Sequence, residues 1–322
     1  DQAQGEWANS VHASGSNVDY TNRGGSDCTR CHDQQGFIAF LETGEFPDVP
    51  FSTVSAIGCF TCHNPHETGT LELRTEAAYT LEGGDVFDHG KGNLCVACHH
   101  SRTAASSVTA NQSVSPYWGP HHGPQGDMIN GSNGYEFAGL DYEFPSSPHA
   151  NQVTDACAGC HMGNVAAHDG YLIGGHSFAM VDEESGSDLH YVCADESCHG
   201  SAADEFDFLA DMDYDNDGDI EGYITETLGL VDSLRTLLVA QGVVSASDRP
   251  NSGTIADIHL AGAVFNFRYV LEDRSFGIHN FNYSRSLLEA SIDYVSGLAV
   301  PTAPAMVTST DVGDNTRFLP SH

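Results

Sequence analysis

The sequence Cys157-Ala158-Gly159-Cys160-His161 contains two cysteines separated by two residues, with a histidine directly after the second. The same C-x-x-C-H unit occurs three more times, and a longer C-x4-C-H unit ends the series: Cys28/Cys31/His32, Cys59/Cys62/His63, Cys95/Cys98/His99 and Cys193/Cys198/His199. The five units use all 10 cysteines of the chain. One chemistry must therefore explain the whole cysteine content.

The C-x-x-C-H unit is typical of covalent haem attachment. Two thioether bonds hold the porphyrin, and the following histidine ligates the iron from the proximal side. Disulfides and redox dithiols need no histidine after each pair, and zinc sites do not use this unit as an isolated repeat. We therefore predict five haem c groups, with His32, His63, His99, His161 and His199 as proximal ligands.

The charge of the chain excludes several partners. The 322 residues include 45 acidic and 11 basic side chains, which gives a formal net charge of −34. A nucleic-acid binder needs a basic face, and an anionic membrane surface attracts basic segments, so neither is a partner. The most apolar run, 228–244, is interrupted by Asp232, Ser233 and Arg235, and we predict no membrane span.

The first residues of the sequence do not resemble a signal peptide. Because covalent haem attachment of this type takes place outside the cytoplasm, we interpret the sequence as an exported, processed chain. The expected location is extracellular or the cell surface, with the periplasm as the alternative.

Length and patterning predict two regions. Residues 1–200 hold every attachment motif and show little periodic apolar pattern, so we predict a loop-rich multihaem cytochrome fold with few short helices, wrapped around stacked haems. Residues 201–322 form a more helical C-terminal region. Helical spacing is present over 224–238 and 283–298, and Thr254-Ile255-Ala256-Asp257 reads as a capping box that opens a helix through about Leu271.

Thirteen of the 18 histidines remain after the proximal ligands, against only 5 methionines. Bis-histidine ligation is therefore the economical assignment, and it implies closed iron sites with low potentials. The residues alone leave the choice open among the following candidates: His12, His66, His89, His100, His121, His122, His149, His168, His176, His190, His259 and His279.

An acidic loop follows the last motif. Asp213, Asp215, Asp217, Asp219 and Glu221 alternate along it, with Gly218 at the sixth position, and this resembles a calcium-binding EF-hand loop. The twelfth position is Ile224 instead of glutamate, so Glu221 or Glu226 would have to complete the ligand shell. A solvated acidic loop is the alternative.

With these motifs the chain resembles the multihaem cytochromes c. The segments 147–162 and 277–280, with His176 and the fifth motif between them, are similar to the pentahaem nitrite reductase lineage and its electron-transfer relatives. The segments 59–66 and 120–125, together with the His279 segment, are similar to extracellular cytochromes that polymerise into conductive filaments. The reductases carry lysine in place of histidine in one motif, whereas all five motifs here end in histidine.

The resemblance also implies distal ligands. It gives His149 to haem 5, His176 to haem 2 and His279 to haem 4. His12 would serve haem 3 or the haem of an adjacent subunit, which leaves His122 for haem 1, with His66, His89 and His100 as runners-up.

Three functions compete, of which the last is a structural or metal-storage surface protein with incidental haem. The first is an electron conduit that polymerises into an extracellular conductive filament, with other copies of itself, other redox cytochromes and extracellular electron acceptors as partners. The second is a multihaem reductase of nitrite, hydroxylamine or a sulfur oxyanion, which needs one iron without a sixth protein ligand. Because every motif ends in histidine and enough histidines exist to close every iron, we predict an electron-transfer protein and no enzyme.

Overall fold

The computed structural model describes residues 2–14, 26–45, 54–64, 71–140, 142, 147–163, 171–203 and 205–298. Short helices and connecting loops make up most of this part of the chain. The α-helices, in chain order, are α1 Gln2–Asn9, α2 Ser26–His32, α3 Gln34–Thr43, α4 Cys59–Cys62, α5 Gly92–Val96, α6 Gln125–Asn130, α7 Pro148–Gln152, α8 Cys157–His161, α9 Tyr223–Ala240, α10 Ile258–Asp273 and α11 Phe281–Ser296. None of these described helices has the length and apolarity that a bilayer crossing requires.

The described strands are short and form two-stranded sheets. They are β1 Tyr79–Thr80, β2 Val86–Phe87, β3 Gln112–Val114, β4 Val181–Asp182, β5 Ser187–Asp188 and β6 Gly253–Ile255. β3 pairs antiparallel with β6, with Ser113 opposite Thr254, and β4 pairs antiparallel with β5. The β1–β2 and β4–β5 sheets close local turns, whereas the β3–β6 sheet joins segments that are distant in the sequence. None of these described sheets forms a layer of the fold.

The chain forms two compact units. Unit 1 comprises residues 1–79, 88–98 and 152–206, and unit 2 comprises residues 80–87, 99–151 and 207–322. The predicted boundary at residue 200 lies close to where the chain leaves unit 1 for the last time, but residues 80–87 and 99–151 cluster with the C-terminal helices. The assignment of 1–200 and 201–322 as separate domains stays a prediction.

Unit 2 has an apolar core of its own. Its 25 clustered buried residues come from α9, α10, α11 and the segment 105–137, among others. On α9 the buried leucines and valine recur at helical spacing, at Leu230, Val231, Leu234 and Leu238. The segment 105–137 contributes to this core although it shows little periodic apolar pattern, because its core residues are far apart in the sequence and lie in loops, in β3 and in α6.

The three C-terminal helices match the predicted ones, with one correction. Thr254 does not cap a helix, because it lies in β6. The N-cap of α10 is Asp257, whose carboxylate accepts hydrogen bonds from the backbone N–H groups of His259 and Leu260. A threonine three residues before an aspartate fits a strand end as well as a cap, and pairing with β3 decides between them.

Unit 1 has much smaller apolar clusters among its described residues. One contains Phe37, Leu94 and Ala97, and another contains Ile173 and Leu189. All attachment cysteines belong to this unit. A unit with so little apolar packing of its own requires another source of buried surface.

Candidate haem-binding site

Three cysteine pairs lie within short helices, α2, α4 and α8, whereas α5 contains only the first cysteine of the third motif. Residues i and i+3 of a helix share a face, so a helical turn such as α4 or α8 presents both cysteine sulfurs to the same side. At the second motif the backbone N–H of His63 donates to the carbonyl of Cys59 at 2.9 Å. This bond brings the backbone of the histidine next to that of the first cysteine of the motif.

The fifth motif keeps this arrangement despite its two extra residues. The backbone N–H of His199 donates to the carbonyl of Cys193 at 3.3 Å. The extra residues form a turn in which the carbonyl of Asp195 accepts from the N–H of Cys198 at 2.8 Å and of Gly200 at 3.0 Å. C-x4-C-H therefore reproduces the bond from the histidine to the first cysteine, which supports its interpretation as an attachment site.

The third motif lies against the first, second and fourth motifs. Next to the first, the Cys98 thiol lies 3.8 Å from the Arg30 carbonyl, and the Arg30 guanidinium donates to the carbonyl of Ala97 at 2.9 Å. Next to the second, Cys62 and Cys98 pack on the same apolar cluster. Next to the fourth, a β-carbon added at Gly92 would lie 3.4 Å from the Cys157 sulfur.

Cys31 lies beside a cysteine of another motif. It shares α2 with Cys28, the other cysteine of the first motif. Its side chain also contacts the thiol of Cys98, and this contact, together with burial, raises the pKa of Cys98. Spacing within one motif cannot reveal such a contact. The role of Cys31 in haem attachment stays a prediction.

Burial raises the pKa of several of these thiols, whereas the contact with Cys95 lowers the pKa of Cys157. Burial raises the pKa of Cys62 to about 12. It raises the pKa of Cys160 to about 11, with further contributions from Cys193 and Cys198 of the fifth motif. Redox-active and zinc-binding cysteines need the thiolate form, so these environments do not favour either alternative.

Two of the proximal histidines, His63 and His161, are oriented through their Nδ1 atoms. Nδ1 of His63 lies 2.8 Å from the carbonyl oxygen of Leu71, and Nδ1 of His161 lies 2.9 Å from that of Phe178. A carbonyl oxygen only accepts, so Nδ1 carries the proton. The lone pair of the neutral ring is then on Nε2, which is the arrangement found in metal-ligating histidines.

The predicted distal histidines of unit 2 have the same arrangement. Nδ1 of His149 donates to the carbonyl of Ile278 at 2.8 Å. Nδ1 of His279 lies 2.7 Å from a carboxylate oxygen of Asp273, and Nδ1 of His122 lies 2.6 Å from one of Glu272. Each ring therefore presents Nε2 as the ligating atom. These two carboxylate partners were not predicted. Asp273 stands close to its partner His279 in the sequence, whereas Glu272 stands far from its partner His122.

Two histidines of unit 1 face each other. The ring centroids of His63, the second proximal ligand, and His176 are 6.2 Å apart. An imidazole–metal–imidazole sandwich places the centroids roughly 6.4 Å apart, given metal–nitrogen bonds of about 2.0–2.1 Å and an imidazole radius of about 1.2 Å. The spacing thus fits an iron held between the two rings.

The other histidines have varied surroundings. The ring of His12 packs edge-on against Phe178 with the centroids 5.1 Å apart. His100 is buried, with Nδ1 2.6 Å from the carbonyl of Ser101. His190 pairs with Asp188, and the carboxylate two residues before it is the sequence signal for this pairing. His66 lies outside the described residues.

His259 has the surroundings of a structural histidine. Its ring stacks on Phe137 with the centroids 5.6 Å apart and contacts Tyr294, and its Nδ1 lies 2.9 Å from the hydroxyl of Tyr135. It is therefore a suitable control residue for experiments on the ligands.

The acidic loop brings carboxylates together in two overlapping groups. One contains Asp213, Asp215 and the buried Glu226, and the other contains Asp215, Asp217 and Glu221. Asp219, which the sequence interpretation included, belongs to neither group. Burial and the neighbouring carboxylates raise the pKa of Asp215. Oxygen ligands at this density suit a hard divalent cation such as calcium.

Comparisons with known proteins agree with this chemistry. No protein-family model matches the sequence. The C-type polyheme cytochrome OmcB of Geobacter sulfurreducens is 22% identical over 366 aligned positions, which cover 87% of this chain and 45% of OmcB. OmcC of the same organism is 24% identical over 354 positions, covering 83% of this chain and 42% of OmcC.

Two solved structures share the fold. The outer cell wall cytochrome OcwA has a TM-score of 0.54 at 21% identity and covers 90% of this chain and 49% of its own. The undecaheme cytochrome from the S-layer of Carboxydothermus ferrireducens has a TM-score of 0.52 at 19% identity, covering 88% and 40%. The chain therefore spans less than half the length of each of these proteins.

The fold similarity confirms the predicted fold class, a loop-rich multihaem fold with short helices. The attachment motifs and the relatives agree on the same cofactor. The chain therefore resembles the multihaem cytochromes c, and it shares its fold with cytochromes described as belonging to the outer cell wall and the S-layer.

Proposed function

We propose that the chain is a pentahaem c-type cytochrome that carries electrons through closely spaced bis-histidine haems in extracellular electron transfer. When bound, haem supplies a reversible one-electron couple. The 6.2 Å separation of the His63 and His176 rings carries the proposal, because it fits a closed iron site. The shared Nδ1 hydrogen bonding of His122, His149 and His279 supports the same role for these residues, and His12 completes the set by resemblance.

The position of the third motif supports a branched arrangement of the cofactors. Its two cysteines, Cys95 and Cys98, lie beside residues of the first, second and fourth motifs, and Cys31 is the contact from the first. Cys160 of the fourth motif lies beside the cysteines of the fifth. Close packing of attachment sites keeps the bound groups within tunnelling range of one another. The third motif is then the point through which the first two motifs communicate with the last two.

Reductase activity is the alternative, and haem content with spin state distinguishes it from conduction. We expect the purified protein to carry five covalent haems, measured by mass, and to show only low-spin signals in electron paramagnetic resonance. Exogenous ligands such as cyanide are expected to leave the spectrum unchanged. A high-spin signal in the untreated protein would show an open iron and would favour turnover of nitrite, hydroxylamine or a sulfur oxyanion.

The proposed location is the cell surface or the extracellular space, with other redox cytochromes and extracellular acceptors as partners. The two structural neighbours are described as cytochromes of the outer cell wall and the S-layer, which supports this. Assembly with other copies into a conductive filament is proposed on the resemblance and the surplus of histidines. Electron microscopy of the native material tests it, and a monodisperse monomer at high concentration would contradict it.

We also propose that the acidic loop binds calcium. Binding at 100 times Kd would stabilise the folded protein by about 2.7 kcal/mol. Asp215 belongs to both carboxylate groups, so Asp215→Asn is expected to abolish the rise in melting temperature that calcium produces. Asp219→Asn removes the same charge outside both groups and should keep that rise. An equal response of the two variants to calcium would contradict the site.

A further inference from the structure

We propose that Glu6, on the N-terminal helix α1, is a positioning residue that fixes the distal ligand His176 and lowers the reduction potential of the haem at the second motif. The inference rests on the proposed bis-histidine ligation by His63 and His176. It goes beyond that proposal because it assigns a tuning role to a residue outside every motif.

Glu6 holds the His176 loop by two contacts. The carboxylate is buried, with a side-chain exposure of 5%, and one of its oxygens accepts the backbone N–H of His176 at 2.9 Å. The same oxygen lies 3.5 Å from Nδ1 of His176. The amide of Gln2 donates to the other oxygen at 2.8 Å. Both oxygens therefore have partners, and the orientation of the carboxylate toward the imidazole is fixed.

The contacts of the Glu6 carboxylate are those of a charged acceptor. Its two oxygens accept from the backbone N–H of His176 and from the amide of Gln2. Hydrogen bonds of this kind favour the ionised form, so a negative charge lies beside the imidazole of His176.

The loop that carries His176 is shaped around this carboxylate. Gly175 has a φ of +50°, which favours glycine, and an added β-carbon would lie 2.3 Å from the nearest carboxylate oxygen of Glu6. Glycine is thus required here for both backbone conformation and space. The loop and Glu6 form one packed arrangement, and a larger residue at 175 would have to displace the carboxylate.

The same helix also holds the proximal side of the second motif. The indole N–H of Trp7 donates to the carbonyl of Ile57 at 2.9 Å, two residues before Cys59. Glu6 and Trp7 are consecutive, so α1 connects the start of the motif to the loop that carries the opposite ligand. The helix therefore helps to fix the spacing between the His63 and His176 rings.

A carboxylate beside Nδ1 changes the electronic character of a ligand. It draws the Nδ1 proton, which makes Nε2 a stronger donor, and stronger donation favours ferric over ferrous iron. His63 and His161 have neutral carbonyl partners instead. Among these three histidines only His176 has an anionic partner. The haem at the second motif should therefore have a lower reduction potential with the Glu6 carboxylate than without it.

The test is a redox titration of the full haem-loaded protein with Glu6→Gln. We expect the reduction potential of one of the five one-electron steps to rise by about 59 mV, which corresponds to a tenfold change in the equilibrium constant of that step. All five haems should stay low spin. Glu183→Gln is the matched control, because Glu183 is a more exposed acid of the same unit, and it should shift no step.

A second pair of variants tests the geometry. Gly175→Ala should displace the Glu6 carboxylate and reproduce the upward shift. Gly186→Ala introduces the same backbone strain at a φ of +71° with open space around it, and it should leave every step in place. If Glu6→Gln lost haem, Glu6→Asp would keep the charge at a greater distance and should give a smaller upward shift.

The outcomes separate this inference from the ligation on which it rests. An unchanged titration in Glu6→Gln, together with a new high-spin haem in His176→Ala, would overturn the role of Glu6 and leave the ligation intact. Five low-spin haems in His176→Ala would overturn the ligation itself.

Discussion

Replacing His176 by alanine is expected to convert one haem of the five from low spin to high spin while the other four remain low spin. The His63 and His176 rings are 6.2 Å apart, a distance that an iron with two imidazole ligands would span, and alanine leaves nothing to replace the second ligand. Electron paramagnetic resonance measures the change directly. Added imidazole should restore the low-spin state, because it occupies the position that the side chain leaves.

The control for this experiment is a histidine without a ligand role. His259 packs in an aromatic cluster of unit 2, so His259→Phe should leave all five haems low spin. A high-spin signal in both variants would mean that any loss of histidine disturbs the fold. A low-spin spectrum in His176→Ala would show that another residue closes this iron.

The opened site also distinguishes conduction from catalysis. If the protein is a conduit, the His176→Ala variant should bind cyanide or nitrite at one iron while the unmodified protein binds neither. Binding by the unmodified protein would mean that an iron is already accessible, and the reductase hypothesis would then be favoured.

Several features of this molecule could be predicted from the sequence because their signals are local. Each cysteine pair lies within a few residues of its histidine, and the amphipathic patterns of α9 and α11 extend over several turns. Such signals depend on spacing alone. The start of α10 was predicted incorrectly because Thr254 resembles a cap in sequence, whereas its pairing with the distant strand β3 decides its conformation. The contact of Cys31 with Cys98 was missed for the same reason, since it joins two motifs that are distant in the sequence.

The carboxylate partners of His176 and His122 could not be predicted for a related reason. Glu6 lies 170 positions from His176, and Glu272 lies 150 positions from His122. Nothing in the sequence near either histidine marks its carboxylate. Hydrogen bonding to Nδ1 is a property of the folded chain, so the sequence could nominate ligands by count and resemblance but not by geometry.

The second large effect concerns the chain without its cofactors. A variant with all ten cysteines replaced by alanine is expected to keep unit 2 folded while unit 1 loses its structure. Unit 2 buries 25 clustered apolar residues around helices of 18, 16 and 16 residues, and this is a core of ordinary kind. The apolar clusters described in unit 1 are too small to offset the conformational entropy of its many loops.

Circular dichroism and limited proteolysis measure this difference. The cysteine-free chain should show a cooperative helical transition and a protease-resistant fragment that includes α9 to α11, whereas segments around α2 and α3 should be cleaved. In that background Leu234→Ala is expected to weaken the transition by about 2–5 kcal/mol, because Leu234 is fully buried.

An exposed position on the same helix provides the control. Val239→Ala lies on the solvent side of α9 and should change the transition little. Protection of α2 and α3 in the cysteine-free chain would show that unit 1 folds on its own side chains. The porphyrins would then bind to a unit that is already folded, and they would not be needed to form its interior.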